Sequence, residues 1–172
     1  MKGADGYVQA YNAQAVVDAD SQVIVAEHLT EKASDVKELI PILKQIKDNN
    51  GRQATELSAD AGYFSEDNLK ELSRRHIRGY VAAGKLKHGD ASPGNGTKKL
   101  KKWGQLMSKR LLQGGHRSRY RLRKQTVEPV FGQIKQARGF RQFLLRGKQN
   151  VAGEWSLLCT AHNILKLAAA TR

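Results

Sequence analysis

The chain has one cysteine, Cys159, among its 172 residues. That excludes a disulfide framework within the chain and points to a reducing compartment. Its N-terminus is polar, so no secretory signal is expected. No apolar run approaches the ~20 residues of a membrane-spanning helix, so no membrane partner is expected. The sequence has no Gly-x-Gly-x-x-Gly, no P-loop and no internal repeat. His28, His76, His88 and His116 are scattered and form no metal pattern. Cys159 and His162 have a ligand-like spacing, but a zinc site needs about four ligands and no second pair is near. Their spacing reads instead as one face of a buried helix. The expectation is a cytoplasmic protein.

Acid is scarce in the second half. Residues 1–72 hold 7 basic and 13 acidic side chains, a net charge of −6. Residues 73–172 hold 23 basic and 3 acidic, a net charge of +20. The whole chain carries +14, and its hydrophobic fraction of 40% is enough for a folded core. So polarised a distribution implies a polyanionic partner, because clustered Lys and Arg gain affinity by releasing counterions from a phosphate backbone. Within 117–141, "RSRYRLRKQTVEPVFGQIKQARGFR", eight residues are basic and one, Glu128, is acidic.

Along the chain, "YVQAYNAQAVVDADSQVIVAEHLTE" predicts a hairpin turning at Asp18–Ser21. "SDVKELIPILKQIKDNN" predicts a helix capped by Ser34, with Val36, Leu39, Ile40, Leu43 and Ile46 on one face, a kink at Pro41 and a stop at Gly51. "ATELSADAGY" is a short strand ending at Asp60. "SEDNLKELSRRH" is a helix capped by Ser65, and "IRGYVAA" is a second short strand. Residues 84–102 read as a flexible basic loop, either a nucleic-acid clamp or a solvated insertion. From Trp103 the pattern is helical. One stripe is Val127, Val130, Phe131 and Ile134; another is Val151, Trp155, Leu158, His162 and Leu165. Trp103, Trp155, Phe140 and Phe143 read as core, with Phe140 beside Arg141 within reach of DNA. The whole of 1–172 is one mixed α/β domain. Its element order matches an RNase H-like fold that lacks the first strand.

Two acids stand where chemistry is plausible. Asp60 lies at the carboxyl end of a strand, where α/β sheets open onto their site crevice; the alternative is a turn-capping aspartate. Glu128 precedes Pro129, so either a helix starts at Pro129 or a longer helix contains it. Glu128 is either a metal ligand or a helix glutamate neutralised by Arg123 or Lys124. Mg²⁺ takes carboxylate and phosphate oxygens. Two such ions about 4 Å apart support phosphodiester displacement when several carboxylates converge. A lone acid amid phosphate-holding cations suits that arrangement.

Four blocks, "YNAQAVVDADSQVIVAEHLTE", "SADAGYFSEDNLKEL", "YRLRKQTVEPVFGQIKQARGFRQFLLRG" and "VAGEWSLLCTAHNILKL", closely resemble the carboxyl-terminal part of bacterial insertion-sequence transposases with a DDE catalytic domain. The resemblance covers nearly the whole chain in the family's order. It implies that Asp60 is the second catalytic acid and Glu128 the third, together binding Mg²⁺ or Mn²⁺. It maps the family's Tyr, Arg, Glu, Lys signature onto Tyr120, Arg123, Glu128 and Lys135. Six residues separate Glu128 from Lys135, as in the signature; four separate Arg123 from Glu128, one more than is common. Lys124 is therefore an alternative to Arg123. Lys135 and its basic neighbours are implied to hold DNA phosphates, with Arg138 and Arg141 as helpers or as a solvated face.

The family's first aspartate lies on a strand upstream of the hairpin, and no such block is present. Asp18 and Asp20 read as turn residues, and Asp5 lies in a polar leader. The expectation is a truncated, nucleoid-associated transposase acting on transposon ends, inactive alone, and completed by a homodimer or an upstream segment. A non-catalytic DNA-binding remnant is the second reading. An RNA-binding protein ranks last, for want of an RRM or KH signature.

Overall fold

A computed structural model describes residues 2–3, 6–7, 10–82, 102–114 and 119–171. The chain is mixed α/β and divides into two compact units. The first comprises 1–34, 48–50 and 124–172; the second comprises 35–47 and 51–123.

In the first unit, β1 (Lys2–Gly3) and β2 (Gly6–Tyr7) form a minimal antiparallel pair. β3 (Asn12–Val17) and β4 (Ile24–Thr30) form the expected hairpin, from Asn12 opposite Thr30 to Val17 opposite Ile24, with a register shift between Val16 and Val17. Its turn is built as the sequence suggests. The Asp18 Oδ1 accepts from the Ser21 backbone N–H at 3.0 Å and from its hydroxyl at 2.7 Å. Gln22 closes the turn with a φ of 58°.

Helix α5 (Lys148–Ala170) lies against β4. It buries Val151, Trp155, Cys159 and His162, spaced four, four and three apart along one face. Cys159 thus replaces the expected Leu158, which is only partly buried, and Leu165 is 55% exposed. Lys166 of α5 already reaches the hairpin turn, where its Nζ donates to the Gln22 Oε1 at 2.7 Å. Leu165 falls on the side the hairpin does not cover. Helix α4 (Arg123–Gly132) completes this core with Val130, and the π turn that follows it (Gln133–Ala137) adds Ile134. Fully burying each such aliphatic side chain contributes roughly 1.5–3 kcal/mol.

In the second unit, β5 (Glu56–Ala59) pairs in parallel with β6 (Arg78–Val81), and α2 (Glu66–Arg74) crosses between them. Ser65 caps α2 as expected, accepting from the Asn68 N–H at 3.2 Å. Gly79 on β6 permits the close packing: a Cβ there would meet the Leu72 Cδ1 at 2.6 Å. Helix α3 (Lys102–Gly114) lies against α2 and β6.

Helix α1 (Leu39–Asn50) corrects three expectations. It starts at Leu39 rather than after Ser34, because the Glu38 N–H turns back to the Asp35 carbonyl at 3.0 Å. Its buried face is Leu39, Ile42, Leu43 and Ile46, leaving Ile40 40% exposed and Val36 outside the helix. Pro41 is its third residue, where the N–H would have no intrahelical acceptor, so it costs no hydrogen bond. Gly51 ends the helix in the left-handed region, as the sequence predicts. The expected basic loop at 84–102 lies outside the described residues, except Lys102, which opens α3.

Candidate active site

Asp60 directly follows β5 and opens the 3-10 turn Ala61–Tyr63. Its Oδ1 accepts from the Gly62 N–H at 2.9 Å, so it caps the turn, while the residue stays exposed. The capping alternative and a chemical role are therefore compatible: the cap uses one carboxylate oxygen. A second carboxylate stands beside it. A Cβ on Gly62 would lie 2.8 Å from the Asp35 Oδ2 and 3.1 Å from the Asp60 Oδ1, so both acids crowd the same glycine. Burial holds the Tyr63 hydroxyl well above its ordinary value, and the charges of Asp35, Asp60 and Glu38 raise it further. The phenol therefore remains protonated.

Asn68 fixes this corner. It is 2% exposed, and its Nδ2 donates to the carbonyls of Val36 and Tyr63, both at 2.7 Å. One side-chain amide thereby ties the segment carrying Asp35 to the turn that Asp60 caps. Sequence reasoning missed both Asn68 and Asp35. The only hint of Asn68 was a polar residue beside Leu69 in an amphipathic pattern.

In the same unit, the Tyr120 ring lies 6.2 Å from that of Tyr80, and the Arg123 guanidinium lies over Tyr120, 5.5 Å from its centroid. Stacking on an aromatic face fixes a guanidinium while keeping its charge.

The first unit carries Glu128. It is exposed on α4, and Pro129 lies inside that helix rather than at its start. Among the described residues, no ion pair joins it to Arg123 or Lys124. Lys124, four residues earlier, lies one turn away on the same face and is also exposed. Lys135 lies in the π turn, exposed, with its Nζ 5.9 Å from the Phe131 centroid. A π turn holds an extra residue, so it re-aims the side chains beyond it and is frequent at functional sites. No periodicity in the sequence announced it.

Arg138 closes the π turn through its N–H, which donates to the Gln133 carbonyl at 3.1 Å. Its side chain is no solvated arm: Nε and Nη1 are enclosed and have no hydrogen-bond partner among the described residues. His162 feels its charge. Burial lowers the His162 pKa, Arg138 and Lys166 lower it further, and the Gln22 carbonyl, 3.0 Å from Nε2, opposes them. Burial pushes the Cys159 thiol up to about 12, with Glu27 adding to the effect. A neutral imidazole engaged by a backbone carbonyl, beside a protonated thiol, fits the buried-face reading of the Cys-x-x-His spacing.

Among the described residues, no group of three or more His, Cys, Asp or Glu is arranged to hold a metal ion. Asp60, Tyr120 and Arg123 belong to the second unit; Glu128, Lys124, Lys135 and Arg138 belong to the first. No described helix is long and apolar enough to cross a membrane.

The chain is thus a mixed α/β protein with an exposed acid after a parallel strand in one unit and an exposed acid on a helix in the other. The chain belongs to the DDE transposases: the family model for the transposase DDE domain matches residues 1–164. No curated protein and no solved structure matches the chain. Its function therefore lies in transposition, and its family acts on DNA.

Proposed function

We propose that the chain supplies two of the three acids of a metal-dependent DNA strand cleavage and transfer site, Asp60 and Glu128, and is inactive alone. The observation that carries this reading is the exposed Glu128 on α4, with exposed Lys124 and Lys135 on the same basic stretch. Both acids are hard oxygen donors accessible to solvent, which suits Mg²⁺ or Mn²⁺. When bound, such a cation lowers the pKa of an attacking water and neutralises charge on the scissile phosphate. The remaining work belongs to the chain. Lys124 and Lys135 hold backbone phosphates as point charges, and Arg123, stacked on Tyr120, presents a pre-oriented fork. Arg138 adds its charge to the same stretch with two nitrogens turned inward. The corner built by Asn68 holds Asp60 at the strand end.

The RNase H-like reading with an absent first strand is part of this proposal. Its support is that β3 pairs with β4 alone, and β5 with β6 alone, among the described residues. The proposal adds a further strand to these two-stranded sheets, from an upstream segment or a second copy.

The test is nicking of DNA carrying transposon ends by the purified chain in Mg²⁺ or Mn²⁺. No nicking is expected from the chain alone, and nicking that disappears in Glu128→Gln is expected once the missing aspartate is supplied in trans. Glu128-dependent nicking by the chain alone would refute its inactivity. The second reading, a non-catalytic DNA-binding protein, is favoured by the +20 net charge of residues 73–172. It requires DNA binding indifferent to Mg²⁺ and to Glu128→Gln.

A further inference from the structure

The first unit contains a groove of about 880 Å³, within the size range of small-ligand sites. Tyr11, Phe131, Phe140 and Phe143 line it, together with the buried Trp155. Phe143 meets Tyr11, Phe140 and Trp155 edge-on, with centroids 6.3, 5.8 and 6.4 Å away. Phe131 stacks on Trp155 at 5.9 Å. These mutual contacts fix the rings, yet the four besides Trp155 are only partly buried. Lys135, Arg141 and Arg146 line the same groove and are exposed, and no described acid lines it.

Each half of this lining alone fits a different ligand. Cations alone suit any phosphate, and rings alone suit any apolar group. Together they fit a ligand that carries a flat π face and anionic phosphates within one residue's length. An unpaired nucleotide does so, whereas in a duplex the base faces are already stacked on each other.

We propose that this groove is a single-stranded DNA site, in which an unpaired base lies against Tyr11, Phe140 and Phe143 while Lys135, Arg141 and Arg146 hold the adjoining phosphates. The proposal rests on the reading that the chain acts on DNA, but it requires neither a metal nor the two catalytic acids. It assigns to the first unit the unpaired strand that a break near a DNA end exposes.

The experiment uses the full chain in EDTA, with a short oligothymidylate carrying one 2-aminopurine. Binding should quench the 2-aminopurine fluorescence through stacking. Replacing that base with an abasic site should weaken binding about tenfold, the scale of one base–aromatic stack. Phe140→Leu and Phe143→Leu, which keep apolar bulk but remove the ring face, should weaken it similarly while leaving duplex binding within about twofold. Unchanged fluorescence, or equal affinity for the abasic strand, overturns the proposal even where duplex binding persists. If the Leu variants fail to fold by circular dichroism, the abasic comparison on the unaltered chain decides. Quenching in a chain that never cleaves DNA, even with the missing aspartate supplied, supports this site and sinks only the catalytic reading. Failure to bind any DNA overturns both.

Discussion

Asn163 holds Ile24 by both of its backbone groups. Its Oδ1 accepts from the Ile24 N–H, and its Nδ2 donates to the Ile24 carbonyl, each at 2.8 Å. A side-chain amide thus behaves as the next strand would, continuing the backbone pairing of β4 onto a helix. Trp155 does likewise for β3, donating from Nε1 to the Gln14 carbonyl at 3.1 Å. α5 is therefore fastened to the hairpin by directional contacts as well as by its apolar stripe.

Asn163→Ala should destabilise the protein by about 1–3 kcal/mol, the cost of leaving enclosed backbone groups unpaired. Thermal unfolding followed by far-ultraviolet circular dichroism measures it. An unchanged Tm would show that the two Asn163 hydrogen bonds add nothing to the hold of α5 on the hairpin.

Two glycines separate stability from function. Gly79→Ala drives a Cβ to 2.6 Å of the Leu72 Cδ1 inside the packed α2–β6 contact. It should cost about 1–3 kcal/mol by overpacking. Gly62→Ala instead presses on the ends of two carboxylates, Asp35 and Asp60. Those ends can swing away, so its Tm should change little while the geometry at Asp60 shifts. Comparing Tm with divalent-ion affinity in the two variants distinguishes them.

Much of this is legible in the sequence alone. The hairpin turn, the Ser65 cap and the strand that stops at Asp60 are local, with side chains bonding their own neighbours, and local chemistry is readable from spacing. The start of α1 was misread because Glu38 turns back on Asp35, a backbone bond that no side chain announces. Asn68 and Asn163 act across 32 and 139 residues of sequence. Their partners are carbonyls and N–H groups, which nearly every residue has, so the sequence carries no signal of the pairing. The Asp35–Asp60 proximity was illegible for the same reason.

Acid should weaken the fold in two successive windows. His162 is buried with a pKa below its ordinary 6.5, so the unfolded chain takes up its proton first as pH falls. Stability contributed by the neutral ring is complete above about pH 6.5 and is lost as pH drops below it. Glu71 is held at about 2, chiefly by hydrogen bonds from Arg74 and Arg75 and also by their charge. Its contribution is complete above its ordinary 4.5 and disappears as pH falls toward 2. Tm against pH should fall in both windows. His162→Gln should flatten the upper one and Glu71→Gln the lower. High salt should shrink the part of the Glu71 effect that comes from Arg74, because that guanidinium is exposed and its charge is screened.

Mn²⁺ titration followed by electron paramagnetic resonance tests whether the two acids share an ion. Asp60→Asn and Glu128→Gln should each lower Mn²⁺ affinity by about tenfold or more, since each removes a charged oxygen ligand. The double variant should then be little worse than either single one, because two ligands of one ion are not independent. Additive losses would instead mean two separate surface carboxylates, and the shared-site reading would fall.

Lys135 separates positioning charge from general basicity. It is exposed, and its ammonium stands near the Phe131 ring at the π turn. If it neutralises one phosphate, Lys135→Ala should reduce the slope of log affinity against log salt by about 1 for duplex DNA. Lys70, 3.8 Å from Asp67 on α2, is the control. Its charge is partly balanced by its neighbour, so Lys70→Ala should leave the slope unchanged. Equal changes in both variants would mean that DNA responds only to total charge. A change confined to Lys135 places a phosphate at the π turn, seven residues beyond Glu128 on the same basic stretch.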